Sequence, residues 1–168
     1  MNTKSNWDAG SFFQRLTTCN KLAQQHHFTF CHVSGLEGLH EFLPKMQTQQ
    51  NFVCVSDIAP GYTEIENSPR TRRIKTVYLA MRYPVENPEL RQSKMDIMQE
   101  LFRQFMSQLI LEKTKLEENK IFLDNRIAFT EVHEYFLSGC ACCYFEIAVD
   151  VYTDLRLNEE EWITTAQS

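Results

Sequence analysis

Apolar and polar positions follow two different rhythms along this chain. Over residues 93–112, SKMDIMQELFRQFMSQLILE, apolar side chains fall at Met95, Met98, Leu101, Phe102, Phe105, Met106, Leu109 and Ile110. Steps of three and four predict a helix with one wide apolar stripe, and Asp96, Gln99, Glu100 and Arg103 lie mostly opposite it. Ser93 stands in the N-cap position, Asp96 places an acid in the first turn, and Pro84 and Pro88 bar an earlier helical run. A second stripe begins at a Ser11 cap and reaches roughly His26, through Phe12, Phe13, Leu16, Cys19, Leu22 and Ala23. Both helices are expected on one core.

The other rhythm has period two. FTFCHV at 28–33 and NFVCVSDI at 51–58 read as strands. In RRIKTVYLAMRYPV at 72–85, Lys75, Val77, Leu79, Met81 and Tyr83 alternate with Thr76, Tyr78, Ala80 and Arg82. Residues 126–136 and 141–152 form a further pair, turning at Leu137, Ser138 and Gly139. The last strand alternates most regularly, with Cys143, Phe145, Ile147, Val149 and Val151 on one face and Tyr144, Glu146, Ala148, Asp150 and Tyr152 on the other. Ser34-Gly35 turns the chain into a short helix or turn over 36–46, which Pro44 makes irregular. Residues 59–73 read as a long polar loop holding Pro60, Gly61 and Pro69, and a loop of that length is usually functional or mobile. The charged run EKTKLEENK follows the long helix as a connection.

The resulting order is helix, strand, short helix, strand, long loop, strand, long helix, strand, strand. It predicts an α+β domain: a mainly antiparallel sheet with helices packed on one face. The opposite face, with its tyrosines and acids, is half-polar and can meet solvent or another subunit.

A length of 168 residues fits one domain over 1–168, with 1–10 and the acidic 156–168 as loose ends. The net charge of −5 gives no general attraction to nucleic acid or anionic membrane. The polar start MNTKSNWDAG does not read as a signal peptide, and no run approaches the roughly 20 apolar residues of a membrane span. The expected compartment is the cytoplasm, which favours reduced thiols for Cys19, Cys31, Cys54, Cys140, Cys142 and Cys143.

Candidate chemistry is sparse. Cys140-Ala141-Cys142-Cys143 suggests a metal site, with His133, Cys31 and His32 as conceivable further ligands. Zinc needs convergent ligands, whereas strand alternation sends Cys142 and Cys143 to opposite faces, so buried inert thiols are the expectation. No local motif supports a nucleophilic cysteine. His26-His27 closes the first helix, where imidazolium complements the dipole. Arg70, Arg72, Arg73 and Lys75 form the basic concentration of an acidic chain. They are expected either as a solvated hairpin loop or as a contact with phosphate or an acidic neighbour. No glycine-rich phosphate loop is present. No catalytic residue, cofactor or metal ligand is assigned.

Taken as NFVCVSDI with RRIKTVYLAMRYPV, then ELRQSKMDIMQELFRQFMSQLI, then NRIAFTEVHEYF with CCYFEIAVDVYTDL, the order of elements over about residues 50–155 resembles the tail-terminator (tail-completion) proteins of tailed bacteriophages. The segment 28–46 departs from that pattern. The resemblance implies a non-enzymatic phage or prophage subunit forming a homo-oligomeric ring, with six copies as its expected number. Such a ring caps the tail tube, contacts tail-tube or neck proteins, and is found in the virion once assembled. Tyr62, Arg70, Arg72 and Arg73 are then the expected interface residues. The alternative is a small α+β ligand-binding or regulatory domain with a pocket between helices and sheet. A thiol- or metal-dependent enzyme is the third reading.

Overall fold

Two strands of 13 residues, β4 (Arg70–Arg82) and β7 (Cys140–Tyr152), pair antiparallel from Arg70↔Tyr152 to Arg82↔Cys140 and form the middle of the sheet. The computed structural model describes residues 7–136 and 139–163, with 133–136 as backbone only. Beside β4 lie β2 (Asn51–Ser56) and β3 (Gly61–Glu64), and beside β7 lie β5 (Ile121–Leu123) and β6 (Phe129–Phe136). The edge strand β1 (Phe28–Val33) pairs parallel with β2, and the other pairings are antiparallel. An α+β fold with a mostly antiparallel sheet is therefore observed.

Each flanking strand is broken at the same height. From Val55 to Gly61 the chain advances six residues while β4 advances four, from Val77 to Arg73. From Leu123 to Phe129 it again advances six while β7 advances four, from Val149 to Phe145. Two bulges thus face each other across the sheet, separating a broad body from a distal tip. Lys75 Nζ donates to the bulge carbonyls of Ser56 at 2.9 Å and Asp57 at 3.1 Å. These are the acceptors that the interrupted ladder leaves over.

Residues 59–73 are not the loop expected from sequence. They hold β3, a 65–69 turn and the start of β4, with the Thr63 and Thr71 hydroxyls in contact at 2.9 Å across β3 and β4, and Thr71 reaching Thr153, just past the end of β7, at 2.7 Å. Asn67 and Ser68 take positive φ at the turn.

Helix α1 (Ala9–Cys19) is capped by Asp8, whose carboxylate accepts from Ser11 N at 3.0 Å, so Ser11 lies inside the helix. The expected run to His26 breaks at Asn20, which turns extended and caps α2 (Lys21–Gln25) by accepting from Ala23 N. His26 follows as its C-cap. The segment expected as a short helix or turn is α3 (Gly35–Phe42) with a 3-10 turn, Leu43–Lys45.

Helix α4 spans Glu89–Glu118 and starts directly after Pro88, at its N-cap. Ser93 is inside it, its hydroxyl donating to Leu90 O. The charged run expected as a connection is its last turns, carrying Lys113–Glu117 and Lys115–Glu112 pairs, each at 3.6 Å. Met95, Met98, Leu101, Phe105 and Leu109 are buried as the stripe predicts, but Ile110 is 68% exposed.

Helices α1 and α4 cover one sheet face. Phe13 sits 5.9 Å from Phe105 and 5.7 Å from Phe145, with Phe102 5.0 Å from Phe145. On the far face α3 and its 3-10 turn cover only the body, where Leu39 and Leu43 pack on Phe52, Cys54, Ala80, Cys140 and Cys142. Arg82 fastens this cover by donating to Gln49 O at 3.0 Å and to Leu43 O, its guanidinium lying over the Phe52 ring. Helical segments therefore occupy both faces, the longer ones together and α3 opposite.

Gly139 has φ +82°, as a turn glycine can. Leu137, Ser138, residues 1–6 and 164–168, and the side chain of His133 lie outside the described residues. Of the expected loose ends, Trp7 packs 5.5 Å from Phe12. Residues 158–163 make a capped 3-10 turn whose Trp162 and Ile163 are exposed.

Candidate functional site

What α3 leaves bare on the far face is the distal tip. Alternation along β4 and β7 sends even-numbered residues there, and register sets them in rows. One row runs Tyr62, Arg72, Asp150, Phe122, and the next runs Glu64, Arg70, Tyr152. Tyr62 is 59% and Tyr152 56% exposed, and Phe122 also meets solvent. The Arg70 guanidinium lies 5.2 Å above the Phe122 ring.

At the centre Arg72 is held from two sides. Its Nε and Nη2 donate to the Asp150 carboxylate at 3.0 and 2.9 Å, and Nη2 also donates to Asp124 at 2.7 Å. The Asp150 hydrogen bond pushes the guanidinium pKa further up, so Arg72 is a permanent cation. Asp124 is held below the ordinary aspartate value, first by the Arg126 backbone N–H and also by Arg72. The tip is thus a surface of exposed aromatic rings around an internally paired ionic centre, one guanidinium between two carboxylates. Arginine and aromatic side chains in such an arrangement are what interfaces are enriched in.

Three of the four expected interface residues, Tyr62, Arg70 and Arg72, share this surface. Arg73 alternates to the opposite face, and Arg72 is committed to an internal ion pair rather than presented to a neighbour. Lys75 is committed to the bulge carbonyls. The basic cluster is therefore not a solvated loop. Phe122 and Asp124 were missed: β5 is three residues long, too short for periodicity to register.

The cysteines divide by face as alternation requires, Cys142 under α3 and Cys143 under α4. Burial pushes the Cys140 thiol up to about 11 and Cys143 to about 12. Among the described residues no group of three or more His, Cys, Asp or Glu side chains converges as metal ligands. His32 Nδ1 lies 2.9 Å from Asp57 Oδ1 on the body.

Two hollows open elsewhere, one beside α4 and one at the body end of the sheet. An apolar cleft of about 350 Å³ opens between α4 and residues 123–127, lined by Phe102, Met106, Ile110 and Ile127 with Lys113 at its rim. A more polar hollow of about 550 Å³ borders His26, His27, Asn51 and Lys94. Among the described residues no helix is long and apolar enough to cross a membrane.

No protein-family model matches the chain, and no curated protein matches it by sequence.

Proposed function

We propose that this protein is a non-enzymatic assembly subunit that packs on further copies of itself through the uncovered sheet tip, closing a ring of the tail-terminator kind on a phage tail tube. The observation that carries this reading is the bare tip itself. Tyr62, Tyr152 and Phe122 stand exposed on a four-strand platform whose central charges are already paired with one another. An isolated domain gains nothing by holding large aromatic rings in water, whereas a subunit contact buries them. The element order that resembles tail terminators supplies the particular setting: a ring of six, tail-tube or neck proteins as partners, assembled in the cytoplasm and carried in the virion.

Size-exclusion chromatography with light scattering, followed by negative-stain microscopy, tests it. The parent chain is expected to form closed rings, alone or on added tail tubes. Tyr62→Asp with Tyr152→Asp is expected to give a folded monomer that does neither. A parent chain that stays monomeric at every concentration and ignores tail tubes overturns the proposal.

The cleft beside α4 favours a second reading, a small ligand-binding domain. An apolar lining rimmed by Asp124, Asn125 and a Lys113 already paired with Glu117 suits a largely apolar molecule with a neutral polar end. Native mass spectrometry of freshly purified monomer would then show a constant mass excess, lost in Ile110→Lys.

A further inference from the structure

Outside the tip, the most distinctive juxtaposition in the molecule is Cys31 against Cys54. The two are direct Cα partners in the parallel β1–β2 ladder, and both side chains point to the far face. Their sulfurs stand 2.7 Å apart, well inside the roughly 3.5–4.0 Å at which non-bonded heavy atoms rest. Neighbouring strands run about 4.7–4.9 Å apart, within the Cα separations of about 4.4–6.8 Å that disulfides span. No backbone movement is needed to join them. We infer that Cys31 and Cys54 are a site of covalent modification, an intrachain disulfide that forms when the protein meets a small-molecule disulfide oxidant.

The neighbours make the pairing selective. Cys140 and Cys142 lie on the same face, but β4 stands between β7 and β2, with Tyr78 and Ala80 in between. Cys143 is on the other face, and Cys19 lies in α1. Cys31 is half-exposed on the edge strand and is the sulfur an oxidant reaches first, whereas Cys54 is buried. The Cys31 contact and burial both push the Cys54 thiol well above its ordinary range, so it is the second partner to react.

The steps balance as thiol–disulfide exchange. Cys31 thiolate attacks the oxidant RSSR, giving a Cys31–SR mixed disulfide and one RS⁻. Cys54 then loses its proton and its sulfur attacks Cys31 Sγ, expelling the second RS⁻. Two protein thiols are oxidised, RSSR is reduced to two thiols, and the two protons released are taken up by the departing thiolates.

The bond would close the chain over residues 31–54, which carry α3 and the 3-10 turn. It ties both feet of the cover that Arg82 holds on the far face. A loop of this size gives a stabilisation that raises the melting temperature by roughly 5–10 °C in a protein of this length.

The 168-residue chain is incubated with glutathione disulfide, then its thiols are counted under denaturing conditions and the crosslink is mapped by non-reducing peptide mass spectrometry. The six thiols of the parent are expected to fall to three, with two joined in one Cys31–Cys54 peptide and exposed Cys19 capped as its glutathione mixed disulfide, and with a higher melting temperature reversed by dithiothreitol. Cys31→Ser, at the half-exposed position, should stay folded, lose only the Cys19 thiol to glutathione and retain four, with no melting shift. Six thiols remaining after exhaustive treatment, a crosslink between other cysteines, or an unchanged melting temperature in the crosslinked protein each overturn the inference.

Discussion

Arg72 and Asp150 face each other across the β4–β7 ladder, guanidinium fork on carboxylate, with Asp124 completing the set from the bulge that follows β5. The side chains are 24%, 23% and 29% exposed, so water screens the group only in part. Arg72→Ala strands two carboxylates side by side and should cost about 2–3 kcal/mol in urea unfolding. Arg72→Lys should recover part of this, because an ammonium cannot span both oxygens as the fork does. Arg72→Glu should be worse than either. Midpoints of all three variants equal to the parent's would mean that the pair carries no stability.

Asp124 makes stability at the tip depend on acid. Its folded pKa lies below the ordinary value near 3.8, so its contribution is complete above that value and is lost as pH falls through the folded pKa. The parent should therefore exceed Asp124→Asn in urea midpoint at pH 7, and the gap should close as the solution is taken well below pH 3.8. A gap that persists unchanged would assign the effect to packing of the side chain.

The α4 stripe gives a graded test. Phe105 is 1% exposed between α1 and the sheet, and Phe105→Ala should cost about 3–5 kcal/mol. Phe102 is only half-buried at the lip of the cleft, so Phe102→Ala should cost clearly less. Comparable losses at both sites would show that the cleft is closed in solution.

Cys140→Ala with Cys142→Ala should leave the metal content of protein purified without added metal unchanged and near zero. The corresponding serines should be less stable than the alanines, because a hydroxyl under α3 has to be desolvated. Stoichiometric zinc in the parent, lost in the double alanine, would reinstate a metal site.

The elements visible in the sequence were those whose residues are sorted by burial. Val77, Leu79 and Met81 face one core, Tyr78 and Ala80 the other, and the α4 stripe is apolar wherever it meets the sheet. Residues 61–64 gave no such signal because all four are exposed, and they are a strand only through pairing with β4. Ser93 and Ser11 misplaced two helix starts: Asp8, three residues ahead of Ser11, is the extended residue that caps α1, and α4 begins straight after Pro88, whose fixed φ already suits a first turn. At the candidate site Tyr62 and Arg70 were legible as exposed interface residues, but of a loop and not of the paired strands that carry them. The partners of Arg72 were not, since Asp124 and Asp150 lie 52 and 78 residues away in the chain.

The paired bulges make the molecule compliant at one level. At the waist between Arg73↔Val149 and Val77↔Phe145, only β4 and β7 run on without a break. Within the sheet, bending between body and tip therefore falls on two strands, while α4 braces the same level on the near face with Phe105 to one side and Leu116 to the other, and the tip keeps its own threonine contacts and ion pair. A rigid plate of this length would fit one curvature only. A plate with a waist can tilt its end by small amounts without unzipping, so a single sequence can meet contacts at slightly different angles.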